Sequence, residues 1–404
     1  MSANYDQAQI LRRHICRRTQ LMSEPAHSDG NQPSGNETAE KPVYAEVRLP
    51  TADLKQDLPF FSKTLGFRLD TIFPADDPAV AVMSGHGVRI RLERGAPEAP
   101  GTIRLMCGDP AAFADGRTEL TAPNGTRIEI IDANPPLETP ETQHAFVVRH
   151  LKDAEPWVIG RAGMQYRDLI PDRLGGSIIA SHIRIPDAGP VPDMVHYHTV
   201  GFQLIFCYRG WVRLVYEDQG PPFILGAGDC VIQPPEIRHR VLEASENLQV
   251  IEIGVPAEHV TTIDHDMELP TGRLVPERDF SGQRFCHHKV AEAHWAPWRI
   301  AGFSARDTGI GDATKGVANV QVAKWQGGAE HQVTSHETDI LFTFVMDGTM
   351  TLSGEGRDPQ DLRAGDAFVI PPAMKTAYTN CSDDLELLEV SLAGHVETTI
   401  HDAL

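Results

Sequence analysis

The chain repeats itself. FQLIFCYRGWVRL (202–214) lies over ILFTFVMDGTMTL (340–352) at a distance of 138 residues, with Gly210 over Gly348. GDCVIQPPE (228–236) lies over GDAFVIPPA (365–373) at 137. Upstream, PWVIGRAG from Pro156 pairs with PWRIAGFS from Pro297, and Arg167-Asp168 with Arg306-Asp307. A unit of this length is a duplicated domain rather than the turn of a solenoid. Each copy reads as short strands cut by Gly and Pro turns. The 34 Gly and 30 Pro of the whole chain fit many such strands.

The first copy carries histidines that the second has lost. His196 and His198 are one residue apart, so on a strand both imidazoles face the same side. Gln203 follows, then the apolar run Leu204 to Tyr208, the turn Arg209-Gly210 and a second strand from Trp211 to Tyr216. Gly228-Asp229 marks a further turn, Cys230 to Gln233 a third strand, and His239 comes just past Pro234-Pro235. Two histidines on one strand face and a third a hairpin later can meet inside a small antiparallel barrel. Neutral imidazole suits zinc, copper, iron and nickel. In the second copy His196 falls on Thr334, His198 on His336 and His239 on Thr376. One imidazole does not hold a catalytic metal, and neighbouring His331 and Glu337 do not restore the spacing. The second copy is therefore expected to be metal-free, burying one face of the first.

This pattern resembles the cupin superfamily, whose first motif is His-x-His, a Glu and a Gly, and whose second is Gly-Asp, Pro and a third His. His196, His198, Gly210, Gly228, Asp229, Pro234 and His239 fill those places, and Gln203 stands where most cupins carry Glu. The resemblance implies a mainly β chain of two jelly-roll barrels, cupin 1 at 145–260 and a degenerate cupin 2 at 285–398, joined by a polar bridge at 261–285. It implies metal ligation by His196, His198 and His239. Three His ligands in the first barrel and a degenerate second barrel resemble the gentisate and salicylate dioxygenase group. That group binds Fe(II), substrate and dioxygen together. The expected metal is Fe(II), with Mn, Ni, Zn or Cu as alternatives. Gln203 and Arg167 are the expected catalytic side chains: Gln203 as weak ligand or hydrogen-bond donor, Arg167 as partner of an anionic substrate. Arg184 is a further candidate. Arg238 ranks below it, because its neighbour His239 faces the other way on a strand.

Residues 42–133 read differently. Tyr44 to Leu49 is a strand, and Asp53 caps a helix through Leu65 that Gly66 stops. Strands follow at Phe67 to Phe73, Ala79 to Met83 and Val88 to Glu93, in the order β-α-β-β-β. AEVRLPTADLKQDLPFFSKTLGFRL and the later APNGTRIEIIDA resemble the glyoxalase-like (vicinal-oxygen-chelate) superfamily. Residues 100–120 are short for a complete second module, and Glu46, Glu93 and Glu129 lack the family's first-strand His. A small, incomplete α+β domain with a structural or subunit-contact role is expected. Residues 1–22 are basic, 23–41 read as disordered, and 134–143 form a Pro-rich linker.

The net charge of −20 argues against nonspecific binding to nucleic acid or anionic membrane. No run approaches the roughly 18 apolar residues of a membrane span. Six scattered cysteines without a CxxC pair suit a reduced, cytoplasmic protein. The expected function is a metal-dependent cupin enzyme. A non-haem Fe(II) dioxygenase would act on a small hydroxy-aromatic acid or dicarbonyl with dioxygen. The alternatives are a non-redox isomerase, lyase or hydrolase of a sugar or keto acid, and a ligand-sensing bicupin without turnover. The expected partners are the small-molecule substrate and further copies of the chain in a homo-oligomer.

Overall fold

The computed structural model describes residues 46–73, 78–153, 157–328, 332–392 and 394–404. The segments expected at 1–22 and 23–41, and His331, lie outside them. Contacts divide the chain into two units, 1–136 and 137–404.

In the first unit β1 (Val47–Thr51), β2 (Arg68–Phe73), β3 (Val80–Gly85) and β4 (Val88–Arg94) form one sheet in the order β1-β4-β3-β2, with β1 parallel to β4. The Asp53 carboxylate accepts the Lys55 N–H at 2.9 Å and starts helix α1 (Leu54–Pro59). The helix then widens into a π-turn at Phe60–Thr64 and ends at Gly66, where φ is +78°. A second sheet holds only β5 (Thr102–Cys107), β6 (Glu119–Thr121) and β7 (Arg127–Asp132), with α2 (Pro110–Ala114) between β5 and β6. This second βαββ piece is one strand short of the first. Both sheets feed one core, with Phe61, Leu65 and Ile90 from one and Leu105 and Ile128 from the other. Glu46 pairs with Arg89 at 2.8 Å, Glu93 with Arg91 at 2.7 Å and Glu129 with Arg104 at 3.0 Å.

The second unit is two barrels of the same design. The large sheet of barrel one holds β8 (Ile179–Ile185), β10 (Phe202–Arg209), β12 (Cys230–Ile232) and β14 (Leu248–Val255), in the order β12-β10-β14-β8. Its small sheet holds β9 (His196–Thr199), β11 (Trp211–Tyr216), β13 (His239–Ala244) and β15 (Val260–Ile263), in the order β11-β13-β9-β15. Barrel two repeats the large sheet with β16 (Ala318–Trp325), β18 (Ile340–Asp347), β20 (Ala367–Ile370) and β22 (Glu386–Leu392), in the order β20-β18-β22-β16. Its small sheet holds β17 (Val333–His336), β19 (Thr349–Gly354), β21 (Thr376–Thr379) and β23 (Thr398–His401), in the order β19-β21-β17-β23.

The two large sheets pack face to face. Phe202, Leu204, Phe206, Ile251 and Ile253 share a core with Phe342, Phe344, Leu388 and Val390. The alternate side chains of β10, such as Cys207, turn into barrel one instead. Both faces of these strands are covered, so FQLIFCY and ILFTFVM read as unbroken apolar runs rather than alternating ones.

The barrels also exchange strands. Val147–Arg149, which precedes barrel one in sequence, pairs with Ala367 to Val369 of barrel two. Cys286–His288, which precedes barrel two, pairs with Cys230 to Ile232 of barrel one. These pairings cross between the segments 145–260 and 285–398. The first residues of each expected cupin complete a sheet of the other copy. The bridge at 261–285 is also entered by β15, which pairs with His196–Thr199.

Arg167 belongs to this junction. It is 3 % exposed and donates to the Gly365 carbonyl at 2.6 Å and to His182 Nδ1 at 3.0 Å. Its repeat partner Arg306 donates to the Gly228 carbonyl at 2.8 Å and to His288 Nε2 at 2.7 Å. Each arginine thus holds the turn of the opposite copy. Gly365 has φ +93°, and a Cβ there would stand 2.7 Å from Leu151. Burial and the Arg167 charge push the His182 pKa down to about 3, so its Nδ1 is a standing acceptor.

Candidate metal centre

Antiparallel register sets His196 on β9 directly opposite His239 on β13. His198 lies two residues along the same face of β9. One ligand atom from each imidazole lies within 4.8 Å of the others, and this is the one such cluster among the described residues. Ring centroids are 4.2 Å apart for His196–His239, 5.1 Å for His196–His198 and 5.2 Å for His198–His239. All three side chains are buried.

The outward nitrogens are held by the protein. His196 Nδ1 lies 2.7 Å from the Met194 carbonyl, and His239 Nδ1 lies 2.9 Å from the Ile237 carbonyl. A carbonyl only accepts, so both Nδ1 atoms carry the proton and Nε2 keeps the lone pair. His198 Nδ1 meets the Thr261 hydroxyl at 2.9 Å. Asp193 stands behind His196 with Oδ1 3.6 Å from its Nδ1, and its Oδ2 accepts the Val241 N–H at 2.9 Å. These are the outer contacts that set the tautomer of metal-binding histidines. Three convergent imidazoles whose Nδ1 atoms are each engaged by the protein fit a divalent transition metal.

A cavity of about 490 Å³ opens over the triad. That is within the range of small-molecule sites, ~300–1,000 Å³. Its walls are mostly apolar, among them Ile183, Ile205, Leu214 and Val250. Tyr166, Glu252, His259 and Thr261 add polar groups. Tyr216 stacks on His239 at 5.5 Å and takes a hydrogen bond from Gln233 at 2.9 Å. Burial raises its phenol pKa, so it stays a neutral hydroxyl.

The other sequence candidates lie elsewhere. Arg167 is at the junction of the barrels and does not line the cavity, which corrects its assignment as a substrate-orienting group. Arg184 lies over Trp157 at 4.3 Å and bonds Gln165. Arg238 lies over Tyr197 at 4.0 Å and pairs with Asp264 at 3.2 Å. Gln203 is fully buried, and its amide donates to Glu252 Oε1 at 2.7 Å. It reaches the cavity through Glu252 rather than as a wall of its own.

Sequence reasoning passed over Glu252. The signal was present, since LQVIEIGV (248–255) is apolar but for Gln249 and this acid, and Gln249 points the other way, to His182. The repeat strengthens it, because Glu252 lies over Glu389. In barrel two Glu389 is gripped by Arg299, whose Nε lies 3.1 Å from Oε1 and whose Nη2 bonds Oε2. Where His239 would stand, the Thr376 hydroxyl bonds the Thr334 carbonyl. His336 Nε2 is 3.1 Å from the Ile370 carbonyl, and burial lowers its pKa to about 4.

Residues 321–391 match the cupin domain family. That segment of the chain is a cupin domain. The match falls in barrel two, and barrel one has the same strand order. Among solved structures, oxalate decarboxylase from Bacillus subtilis is similar at 13 % identity and a TM-score of 0.47, covering 72 % of this chain and 82 % of the other. Salicylate 1,2-dioxygenase from Pseudaminobacter salicylatoxidans is similar at 16 % and 0.48, covering 65 % and 90 %. No curated protein sequence is a match. No helix among the described residues is long and apolar enough to cross a membrane.

Proposed function

We propose that this bicupin is a metal-dependent dioxygenase with its reaction centre in barrel one. The carrying observation is the buried triad of His196, His198 and His239, whose Nδ1 atoms are all engaged, beneath an apolar cavity. These three residues would hold Fe(II), which when bound supplies the redox chemistry that dioxygen needs and zinc lacks. The protein's part is to keep three neutral nitrogens converging, to exclude water with the apolar wall, and to select a small flat substrate by shape. A hydroxy-aromatic acid or a β-dicarbonyl has the two adjacent oxygens such a centre takes.

The test is anaerobic purification, loading with Fe(II), Mn(II), Ni(II), Cu(II) or Zn(II), and oxygen uptake across a panel of both compound classes. Uptake confined to a redox-active metal is the expected result. Turnover that proceeds without oxygen, or with Zn(II), would replace this reading with the non-redox one.

Removing the Thr261 hydroxyl probes the outer contacts. Thr261→Val leaves His198 Nδ1 without that partner. Metal affinity, measured by competition with a chelator, is expected to fall about 10–100-fold. An unchanged affinity would mean that the Thr261 hydroxyl does not support the site.

A further inference from the structure

We propose that His259 orients the ligand in the cavity of barrel one, its Nε2 accepting a hydrogen bond from a hydroxyl of that ligand. This deepens the reading of barrel one as a metal-centred substrate site and rests on it.

His259 ends the turn between β14 and β15. That turn is pinned where the Ala257 N–H donates to the Gly176 carbonyl at 3.0 Å. Two residues past His259, Thr261 stands opposite His198 and meets its Nδ1. The His259 ring is half-buried and lines the cavity, edge to face with the His198 ring at a centroid distance of 5.5 Å. Its Nδ1 lies 2.9 Å from the Pro256 carbonyl. A carbonyl only accepts, so Nδ1 carries the proton and Nε2 keeps the lone pair. The backbone thus selects one tautomer, whose second nitrogen is an acceptor.

Gly254 makes room for this ring. It lies within strand β14, and a Cβ there would stand 3.0 Å from His259 Cε1 and 3.1 Å from Ile179 Cγ2. A glycine inside a strand weakens it and marks a close approach. Here the approaching group is the imidazole. The repeat separates this pair from its surroundings. From Leu248 over Leu385 to Ile263 over Ile400 the two copies align without a gap. Glu252 falls on Glu389 and Thr261 on Thr398, but Gly254 falls on Ser391 and His259 on Val396. The copy with the triad holds both the imidazole and the space for it, and the copy without the triad holds neither. A ring that only filled the turn would have no reason to come and go with the triad.

The ligand class is therefore a small, flat compound with a hydroxyl beside the oxygens that face the triad. Salicylate and benzoate are suitable probes because they differ by one hydroxyl. Their dissociation constants are measured by calorimetry on the full-length Zn(II)-loaded protein, since zinc supports no redox turnover. The quantity read is the change in salicylate preference on substitution, in which a direct contribution of the metal cancels. His259→Leu should shrink the preference about fivefold, the range of one ordinary hydrogen bond. His259→Gln, whose side-chain carbonyl can accept in its place, should keep most of it. Metal content and melting temperature report folding, which a purely structural role would change without altering the preference. A preference unmoved by His259→Leu, an equal loss in both variants, or no binding of either probe by the metal-loaded wild type overturns the proposal. Failure of wild type to take up metal at the triad overturns the underlying reading, and this proposal with it.

Discussion

Replacing His239 with alanine is expected to abolish stoichiometric metal binding by the first barrel. The substitution leaves two imidazoles from one strand and opens the side of the site that β13 closes. Loss of a supporting contact already costs about 10–100-fold in metal affinity, so loss of a ligand should exceed ~100-fold. The consequence is also visible in stability. At a free metal concentration ~100 times its dissociation constant, a site that exists only in the folded chain adds about 2.7 kcal/mol. Wild type should therefore gain unfolding free energy with added metal, and His239→Ala should not. The measurement is urea unfolding with and without metal. A variant that still gains the full increment would show that the ion sits elsewhere.

The second large effect lies in barrel two. Arg299 bonds both oxygens of Glu389, and the Glu389 side chain is almost wholly buried. The Arg299 ring partner is Trp298, 4.7 Å away. Removing one member of a buried ion pair strands the other, at a cost of about 3–5 kcal/mol. Arg299→Met alone should lower the unfolding free energy measured in urea by that much. Adding Glu389→Leu removes the stranded charge and should recover most of the loss, since well-packed apolar pairs often equal buried ion pairs. Metal affinity of barrel one should stay at the wild-type value in both. If the double variant is no better than the single one, the arginine acts through packing on Trp298 rather than through its charge.

Much of the site could be read from residue order. Alternation along a strand fixes His196 and His198 on one face, and the hairpin spacing brings His239 opposite them. The duplication was equally plain, because aligned turns at Gly210 and Gly348 survive wide divergence between them. What escaped depends on partners far away in sequence. Arg167 has the composition of a substrate-binding arginine. Only its acceptor at Gly365, 198 residues distant, shows it to be a fastener between copies. Gln203 was noticed for the wrong neighbour: the histidines are close in sequence, but its bond goes to Glu252 on the next strand. In the first unit the strand order was legible from period and turns. The widening of α1 at Phe60 was not, since apolar residues line its face either way.

The traded strands at Val147–Arg149 and Cys286–His288 make the halves mutually dependent. Cutting the chain midway would leave each fragment with an open sheet border and a stray ribbon made for the missing half. Natural selection could thus erase the histidines of one copy without being able to discard the copy itself. The barrel without the triad persists as the mould in which the other is cast.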